Sequence, residues 1–374
     1  MPIDRRTLIG AAASGIAAVA LSQHATATDR HSRTRKIATE EAFATPELVA
    51  SWLEIAQRHP EASLDIATGI NSIFNNPAPG SNQDRFRRQL LDIGPERLSV
   101  MDAAGVDMHL LSVTIPGVQM FEPDRANAMA ISTNDQLAAA IARHPTRFAG
   151  LACLAPQSPQ AAAREMERAI TDLKLNGFII NSHTSDLYLD DPRFAPVLEA
   201  AEALDRPIYL HPRAPSNGMA APFRDYNLGG SIWGFGVEAG THAVRLIMSG
   251  TFDRFPKLRI VLGHMGEGLP FWMWRLDHMY WRRARDGRIR PNALLPSEYF
   301  RRNFAITTSG FEDEDVLDLA IGQAGIDNMM WAIDYPYESS ADAVAFIDRA
   351  ELTPVHRASV CHANAERLFH IQRS

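Results

Sequence analysis

Lys36-Ile37-Ala38-Thr39 runs directly into Glu40-Glu41-Ala42-Phe43, and the reading of this stretch decides the fold. Its apolar start reads as a β-strand, and the residues that follow include no glycine. An open, doubly wound α/β sheet should carry a glycine-rich phosphate turn after its first strand. With two glutamates in that place and no glycine, the open sheet is the second reading after a closed barrel.

Working outward, seven more short apolar runs alternate with longer amphipathic segments, as repeated βα units require. With the first run at 36–39, they fall at 106–113, 148–154, 177–181, 207–211, 258–264, 304–308 and 329–334. Helices are predicted between them, among others at 124–143, 159–173, 192–204 and 312–324. Eight such units predict an α/β chain folded as a single (β/α)₈ TIM-like barrel over 31–374, with an insertion between its first and second strands. The insertion, about 70–92 with Asn75-Asn76-Pro77-Ala78-Pro79-Gly80-Ser81-Asn82, reads as a surface excursion. The Pro- and Gly-dense stretch 213–236 follows the fifth run. Both are candidate walls or lids, because loops leaving the C-terminal ends of barrel strands surround the active site.

Composition bounds the function. Hydrophobic residues make up 46% of the 374 and charged residues 22%, enough to bury a large core. The net charge of −7, without a basic cluster interleaved with aromatics, speaks against nucleic acid as a partner. Cys153 and Cys361 give neither a disulfide framework nor thiolate-metal spacing and read as inert thiols. Residues 1–30 read as a twin-arginine export signal and linker. Asp4-Arg5-Arg6-Thr7-Leu8-Ile9 precedes a mildly apolar stretch, and Ala25-Thr26-Ala27 supplies a cleavage point. That stretch is too short and too rich in Ala and Gly for a stable membrane span, so a periplasmic or exported location is expected, or a cytoplasmic one without a working signal.

Polar residues close four of the eight runs: Glu40, His211, His264 and Asp334. A lone histidine at a strand end is usually structural. Four such residues on strands of one barrel can converge on a single ion, since the C-terminal strand ends form a ring. Carboxylate and imidazole donors suit Mn²⁺ or Zn²⁺, and a carboxylate-rich set also suits Mg²⁺.

The sequence around these positions resembles the metal-dependent aromatic-acid decarboxylases of the amidohydrolase superfamily. These include γ-resorcylate, 2,3-dihydroxybenzoate and 5-carboxyvanillate decarboxylases, with aminocarboxymuconate-semialdehyde decarboxylase more distant. The carrying segments are Lys36 to Thr45, Pro207-Ile208-Tyr209-Leu210-His211-Pro212, Gly263-His264-Met265-Gly266-Glu267-Gly268-Leu269-Pro270 and Asp334-Tyr335-Pro336-Tyr337-Glu338. Asn181-Ser182-His183-Thr184 and Trp233-Gly234-Phe235-Gly236-Val237-Glu238 extend the likeness. The first strand and the NSHT segment are most similar to 5-carboxyvanillate decarboxylase.

The resemblance implies one divalent ion held by Glu40, His211 and Asp334. Some members carry a histidine two residues after the glutamate. Ala42 in that place favours Mn²⁺ or Mg²⁺ over Zn²⁺. It further implies catalytic roles for Asp334, as proton donor, and for His264 supported by Glu267, expected to reach back to the imidazole from the start of a helix. Substrate contacts are implied at Arg275 and Tyr337, with a contact or supporting role at His183. A substrate-binding arginine expected in the excursion aligns with Asn82, leaving Arg85 as its nearest substitute. His242 is expected to pack structurally.

The implied reaction is non-oxidative decarboxylation of an ortho-hydroxylated benzoate. Its rival is hydrolysis of a lactone, ester or amide on the same barrel, against which stands the missing first-strand His-x-His pair; a non-catalytic binding protein is the third class. Trp272, Trp274, Tyr280 and Trp281 lie on one helical segment suited to a subunit interface, in keeping with a homo-oligomer, dimer or tetramer, as the resemblance implies, or equally to packing of that helix against the barrel.

Overall fold

A computed structural model describes residues 33–372; the expected export signal lies outside them. The described residues contain an eight-stranded parallel sheet whose strands pair in chain order. The strands are β1 (Ile37–Phe43), β2 (Met108–Val113), β3 (Phe148–Cys153), β4 (Gly177–Asn181), β5 (Ile208–His211), β6 (Ile260–Leu262), β7 (Phe304–Thr307) and β8 (Met329–Met330). Nearly every strand residue is buried, which is why the runs read as continuous apolar stretches: helices cover one face and the barrel core the other.

Some helices begin where the sequence offers a side-chain cap. Ser81 accepts a hydrogen bond from the Asp84 backbone at the head of Asn82–Leu91, and Asp313 accepts one from Val316 at the head of Glu314–Ala324. A cap of this kind contributes about 1 kcal/mol. The excursion predicted at 70–92 is therefore largely helical rather than a bare loop. The barrel pattern itself stands.

Three strand boundaries differ from expectation, and each difference bears on the site. Strand β1 extends to Phe43, so Glu40 lies inside it. Pairing with β2 slips there: Ala38 faces His109, and Glu41, three residues on, faces Leu111, two residues on. That extra residue is a bulge, a device that re-aims side chains and breaks alternation. Strand β6 stops at Leu262, two residues before His264. Strand β8 stops at Met330, four residues before Asp334.

The last seam of the barrel is closed by residues 331–335 lying against β1. Thr39 Oγ1 donates to Trp331 O at 2.9 Å, and Ala42 N donates to Tyr335 O at 2.7 Å. Between them the Glu41 carboxylate accepts from Ile333 N at 3.0 Å and from Tyr335 N at 3.1 Å. The two thiols are buried and free, and burial pushes each up to about 12, as inert cysteines require.

Candidate metal centre

Glu40 is the hub of the site. Its Oε2 accepts hydrogen bonds from Tyr209 Oη at 2.5 Å, from Thr307 Oγ1 at 3.1 Å and from Ser309 Oγ. Two of these donors lie on strands, Tyr209 two residues before His211 on β5 and Thr307 at the end of β7, while Ser309 follows just past the end of β7. Its Oε1 is buried and accepts no hydrogen bond. Instead Oε1 faces His211 Nε2 and His264 Nε2, each at 3.4 Å. Gly263 makes room for the carboxylate, since a Cβ there would sit 2.6 Å from both of its oxygens.

Both imidazoles turn their other nitrogen away. His211 Nδ1 lies 2.7 Å from Pro212 O, and His264 Nδ1 lies 3.1 Å from Ser309 O. A carbonyl can only accept, so each Nδ1 carries the hydrogen and each Nε2 faces Glu40, as a lone pair in a neutral ring or as a second N–H in a protonated one. This is the arrangement in which histidines ligate metals, with the second ring nitrogen fixed by the backbone. Among the described residues, Glu40, His211 and His264 are the three His, Cys, Asp or Glu side chains whose ligand atoms lie within 4.8 Å of one another. An orphaned, buried carboxylate oxygen beside two oriented imidazoles fits a divalent cation by its donor chemistry.

Asp334 is not in that tightest group, although it lines the same cavity as His211 and His264. It stands in the left-handed region with φ of 78°, uncommon for a residue other than glycine. Burial pushes its carboxyl well above the ordinary range; the His264 charge opposes this, and the Glu40, Glu41 and Glu338 carboxylates add to it. Glu40 goes the other way. Burial would raise it, but the His264 and His211 charges and the Ser309 hydroxyl hold it below the ordinary carboxylate range. His264 is disfavoured as a cation by burial, yet the Glu40, Glu267 and Asp334 carboxylates outweigh that and hold it well above the usual imidazole value. His211 is pushed down, chiefly by burial. Either a proton on His264 or a bound cation answers the Glu40 charge.

The His264–Glu267 segment is not the start of a helix. His264, Met265, Gly266 and Glu267 all have positive φ, from 48° to 78°, and the following helix begins at Leu269. Each non-glycine residue so placed costs roughly 1–2 kcal/mol, a strain of the kind found at functional sites. Glu267 acts on His264 through charge, favouring its protonated form, while the orientation of the imidazole is set by Ser309 O and Glu40 and not by Glu267. Burial pushes Glu267 up to about 7, and its Oε1 lacks a hydrogen-bond partner.

A cavity of about 1210 Å³ rises above these groups. Its walls come from both expected segments, with Ile73 and Phe86 from the excursion and Asn227 and Trp233 from the stretch after β5. Tyr337 lines it, 2.7 Å from Thr114 Oγ1 and ring to ring with Phe86 at 5.6 Å. The remaining expected contacts lie elsewhere. Arg85 and Arg275 are exposed and outside the cavity lining. His183 lines a separate cavity of about 380 Å³ together with Asp186 and Arg213. The hydrogen-bond donors to Glu40 and the bonds of Glu41 to Ile333 N and Tyr335 N were missed from sequence; the i, i+2 spacing of Tyr209 with His211 was the available signal.

A family model described as "Amidohydrolase" matches residues 52–371. The chain is similar to the γ-resorcylate decarboxylase of Polaromonas sp., being 36% identical over 352 residues that cover 90% of this chain and 99% of the relative. Among solved structures it is similar to 5-carboxyvanillate decarboxylase from Sphingomonas paucimobilis, at 50% identity and a TM-score of 0.87, covering 91% of this chain and 100% of that one. It is also similar to the 5-carboxyvanillate decarboxylase of Novosphingobium aromaticivorans complexed with manganese and 4-hydroxy-3-methoxy-5-nitrobenzoic acid. That match has 37% identity and a TM-score of 0.86, and covers 90% of this chain and 96% of the other.

Proposed function

The chain belongs to the amidohydrolase family, and from that premise we propose that it removes CO₂ non-oxidatively from a hydroxylated benzoate, using one divalent ion, Mn²⁺ or Mg²⁺ before Zn²⁺. The observation that carries this reading is the orphaned Glu40 Oε1, flanked by two imidazole Nε2 atoms beneath a cavity fit for an aromatic acid. Likeness to named decarboxylases over most of their length supports the reaction class.

Glu40, His211 and Asp334 would hold the ion. When bound, it supplies positive charge to the phenolate and carboxylate oxygens of the substrate and lets the ring be oriented. Direct cleavage of the aryl–carboxylate bond would leave an unstabilised carbanion, so protonation comes first. Asp334 donates its proton to the ring carbon that bears the carboxylate. The carbon–carboxylate bond then breaks, its electron pair restores the aromatic ring, and CO₂ departs. Asp334 recovers a proton from solvent, so each turnover consumes one. His264, with the Glu267 charge behind it, faces the same cavity and balances negative charge during these steps. Tyr337 borders the ring's space as a hydrogen-bonding wall.

A second reading of the ligand set has its own support. His264, rather than Asp334, completes the group within 4.8 Å. Manganese titration of Asp334→Asn and His264→Asn separates the two: the variant at the true third ligand loses affinity. The reaction is tested by following CO₂ release against acid release over 2,6-dihydroxybenzoate, 2,3-dihydroxybenzoate, 5-carboxyvanillate and a lactone panel. Release of CO₂ from a hydroxybenzoate is expected. Lactone opening without CO₂ would move the protein to the hydrolases.

Two wider inferences complete the proposal. The Arg5-Arg6 segment directs export of the folded enzyme, and finding residue 1 intact in mature protein would oppose it. Phe271, Trp272, Trp274 and Trp281 are each more than half exposed on one helix, which supports a homo-oligomer that covers them. Light scattering at a monomer mass would contradict this. Among the described residues no helix is long and apolar enough to cross a membrane.

A further inference from the structure

Asp334 lies where no β-ladder can hold it. Strand β8 has ended four residues earlier, and what fixes residues 331–335 is a set of individual hydrogen bonds to β1, to Thr308 just past β7, to Val360 O, and from Tyr337 N and Glu338 N to Asp334 O. Two of them come from one side chain. Glu41 Oε1 accepts from Ile333 N at 3.0 Å and Glu41 Oε2 from Tyr335 N at 3.1 Å, so the two carboxylate oxygens grip the residues on either side of Asp334.

The grip matters because of the conformation it encloses. Asp334 has φ of 78°, which costs an L-residue about 1–2 kcal/mol and persists only where the surroundings over-determine it. Tyr337 N and Glu338 N hold the Asp334 carbonyl at 2.9 and 3.1 Å on one side, and the two backbone N–H groups bound to the buried Glu41 side chain fix the residues that flank it. Glu41 is itself wholly buried, and no ladder hydrogen bond or apolar side chain could accept from both amides at once. The bulge at residues 39–40 brings the two functions into neighbouring positions. It releases Glu40 toward the imidazoles while Glu41 faces the seam.

We propose that Glu41 is the positioning residue of the metal centre, holding Asp334 in its left-handed conformation and so setting the place of its carboxylate relative to Glu40 and His211. The proposal rests on the reading above, in which Asp334 serves the ion. Groups that orient a ligand typically alter metal affinity by about 10–100-fold when removed, and a misplacement of about 1 Å at a reacting group costs on the order of 100-fold in rate.

The test compares Glu41→Gln with Thr308→Val in the full-length protein. Thr308 exchanges hydrogen bonds of 3.1 and 3.0 Å with Ala332, so its variant loosens the same segment without touching the residues that flank Asp334. Manganese affinity of metal-stripped protein, melting temperature, and kcat and KM for 5-carboxyvanillate and 2,6-dihydroxybenzoate are measured on both. Glu41→Gln keeps one acceptor but offers an amide N–H to the other backbone donor. It is expected to lose about tenfold or more in manganese affinity and on the order of 100-fold in kcat, with KM changed by less than about threefold. Thr308→Val is expected to lower the melting temperature comparably while affinity and kcat stay within about threefold.

A crystal structure of Glu41→Gln gives a readout independent of ion and turnover, in which Asp334 leaves its left-handed conformation. The proposal is overturned if Asp334 keeps that conformation, or if both variants lose affinity only in step with melting temperature. Should wild-type protein bind manganese yet release no CO₂, the decarboxylase reading fails while the crystal structure and titration still judge Glu41. Should Asp334→Asn bind manganese normally, the ligand assignment fails and the crystal structure decides.

Discussion

Two buried clusters of histidine and glutamate sit in this barrel, and they are wired in opposite ways. One lies behind β4. Leu189 N donates to His242 Nε2 at 2.8 Å, so His242 Nδ1 carries the hydrogen and donates to Ser182 Oγ at 3.2 Å. Ser182 in turn donates to Glu238 Oε1 at 2.9 Å, and Tyr188 Oη and Ser216 N supply Glu238 Oε2, each at 3.2 Å. Each hydrogen in that chain has an acceptor, and each of the two Glu238 oxygens has a donor. Around Glu40 the imidazoles turn their hydrogens outward to backbone carbonyls, and Oε1 is left with none. A satisfied cluster has nothing further to bind and serves to fix the turn after β4. A cluster with an orphaned anion between two imidazoles is completed only by a proton on His264 or by a bound cation.

The sharpest way to break this contrast is to neutralise one acid in each cluster. Asp334→Asn is expected to lower kcat by about 1000-fold or more with melting nearly unchanged, since it removes the proposed proton donor. Glu238→Gln is expected to leave kcat within about threefold while costing about 1–3 kcal/mol of stability, read by urea unfolding, because one donor then faces an amide N–H. Equal effects on kcat would erase the distinction.

Metal removal should act on one cluster only. Chelation is expected to abolish CO₂ release, and manganese at about 100 times its Kd should return activity and add about 2.7 kcal/mol of stability. Glu40→Gln should lose this stabilisation and Glu238→Gln should keep it, as differential scanning calorimetry would show.

Acid sharpens the comparison from the other side. Burial, with the charges of His183 and Arg245, lowers His242 from an ordinary 6.5 to about 3. Between those values the unfolded chain binds a proton that the folded chain does not, so stability rises with pH. This contribution is complete above about pH 6.5 and is lost as pH falls toward 3, an effect on the order of a few kcal/mol. Urea melts across that range should show a shallower slope in His242→Gln than in wild type. The smallest effect is expected at Arg275→Ala, where an exposed side chain outside the cavity should change stability by no more than about 0.5 kcal/mol.

How much of this was legible in the sequence follows the same division. The eight runs are continuous apolar stretches because a parallel barrel buries both strand faces, and that signal survives without any tertiary information. His211 could be placed because β5 ends on it. His264 and Asp334 were found as residues but misplaced as strand ends. Left-handed backbone in the first case, and side-chain hydrogen bonds in place of a ladder in the second, leave no trace in hydrophobic periodicity. Glu41 was invisible for a similar reason, since a bulge breaks the alternation from which a strand residue's facing is inferred. The helix at Asn82–Leu91 was announced by Ser81 three residues before Asp84, a capping pattern obscured by the Pro- and Asn-rich residues just before it.

The central claim is that Glu40, His211 and Asp334 share one cation, and anomalous diffraction at the manganese edge from crystals grown with Mn²⁺ tests it most directly. A single strong peak is expected within bonding distance of Glu40 Oε1, His211 Nε2 and an Asp334 carboxylate oxygen, and no peak in the cluster of Glu238 and His242. An empty Glu40 cluster, or a peak there that Asp334 does not reach, would contradict the account.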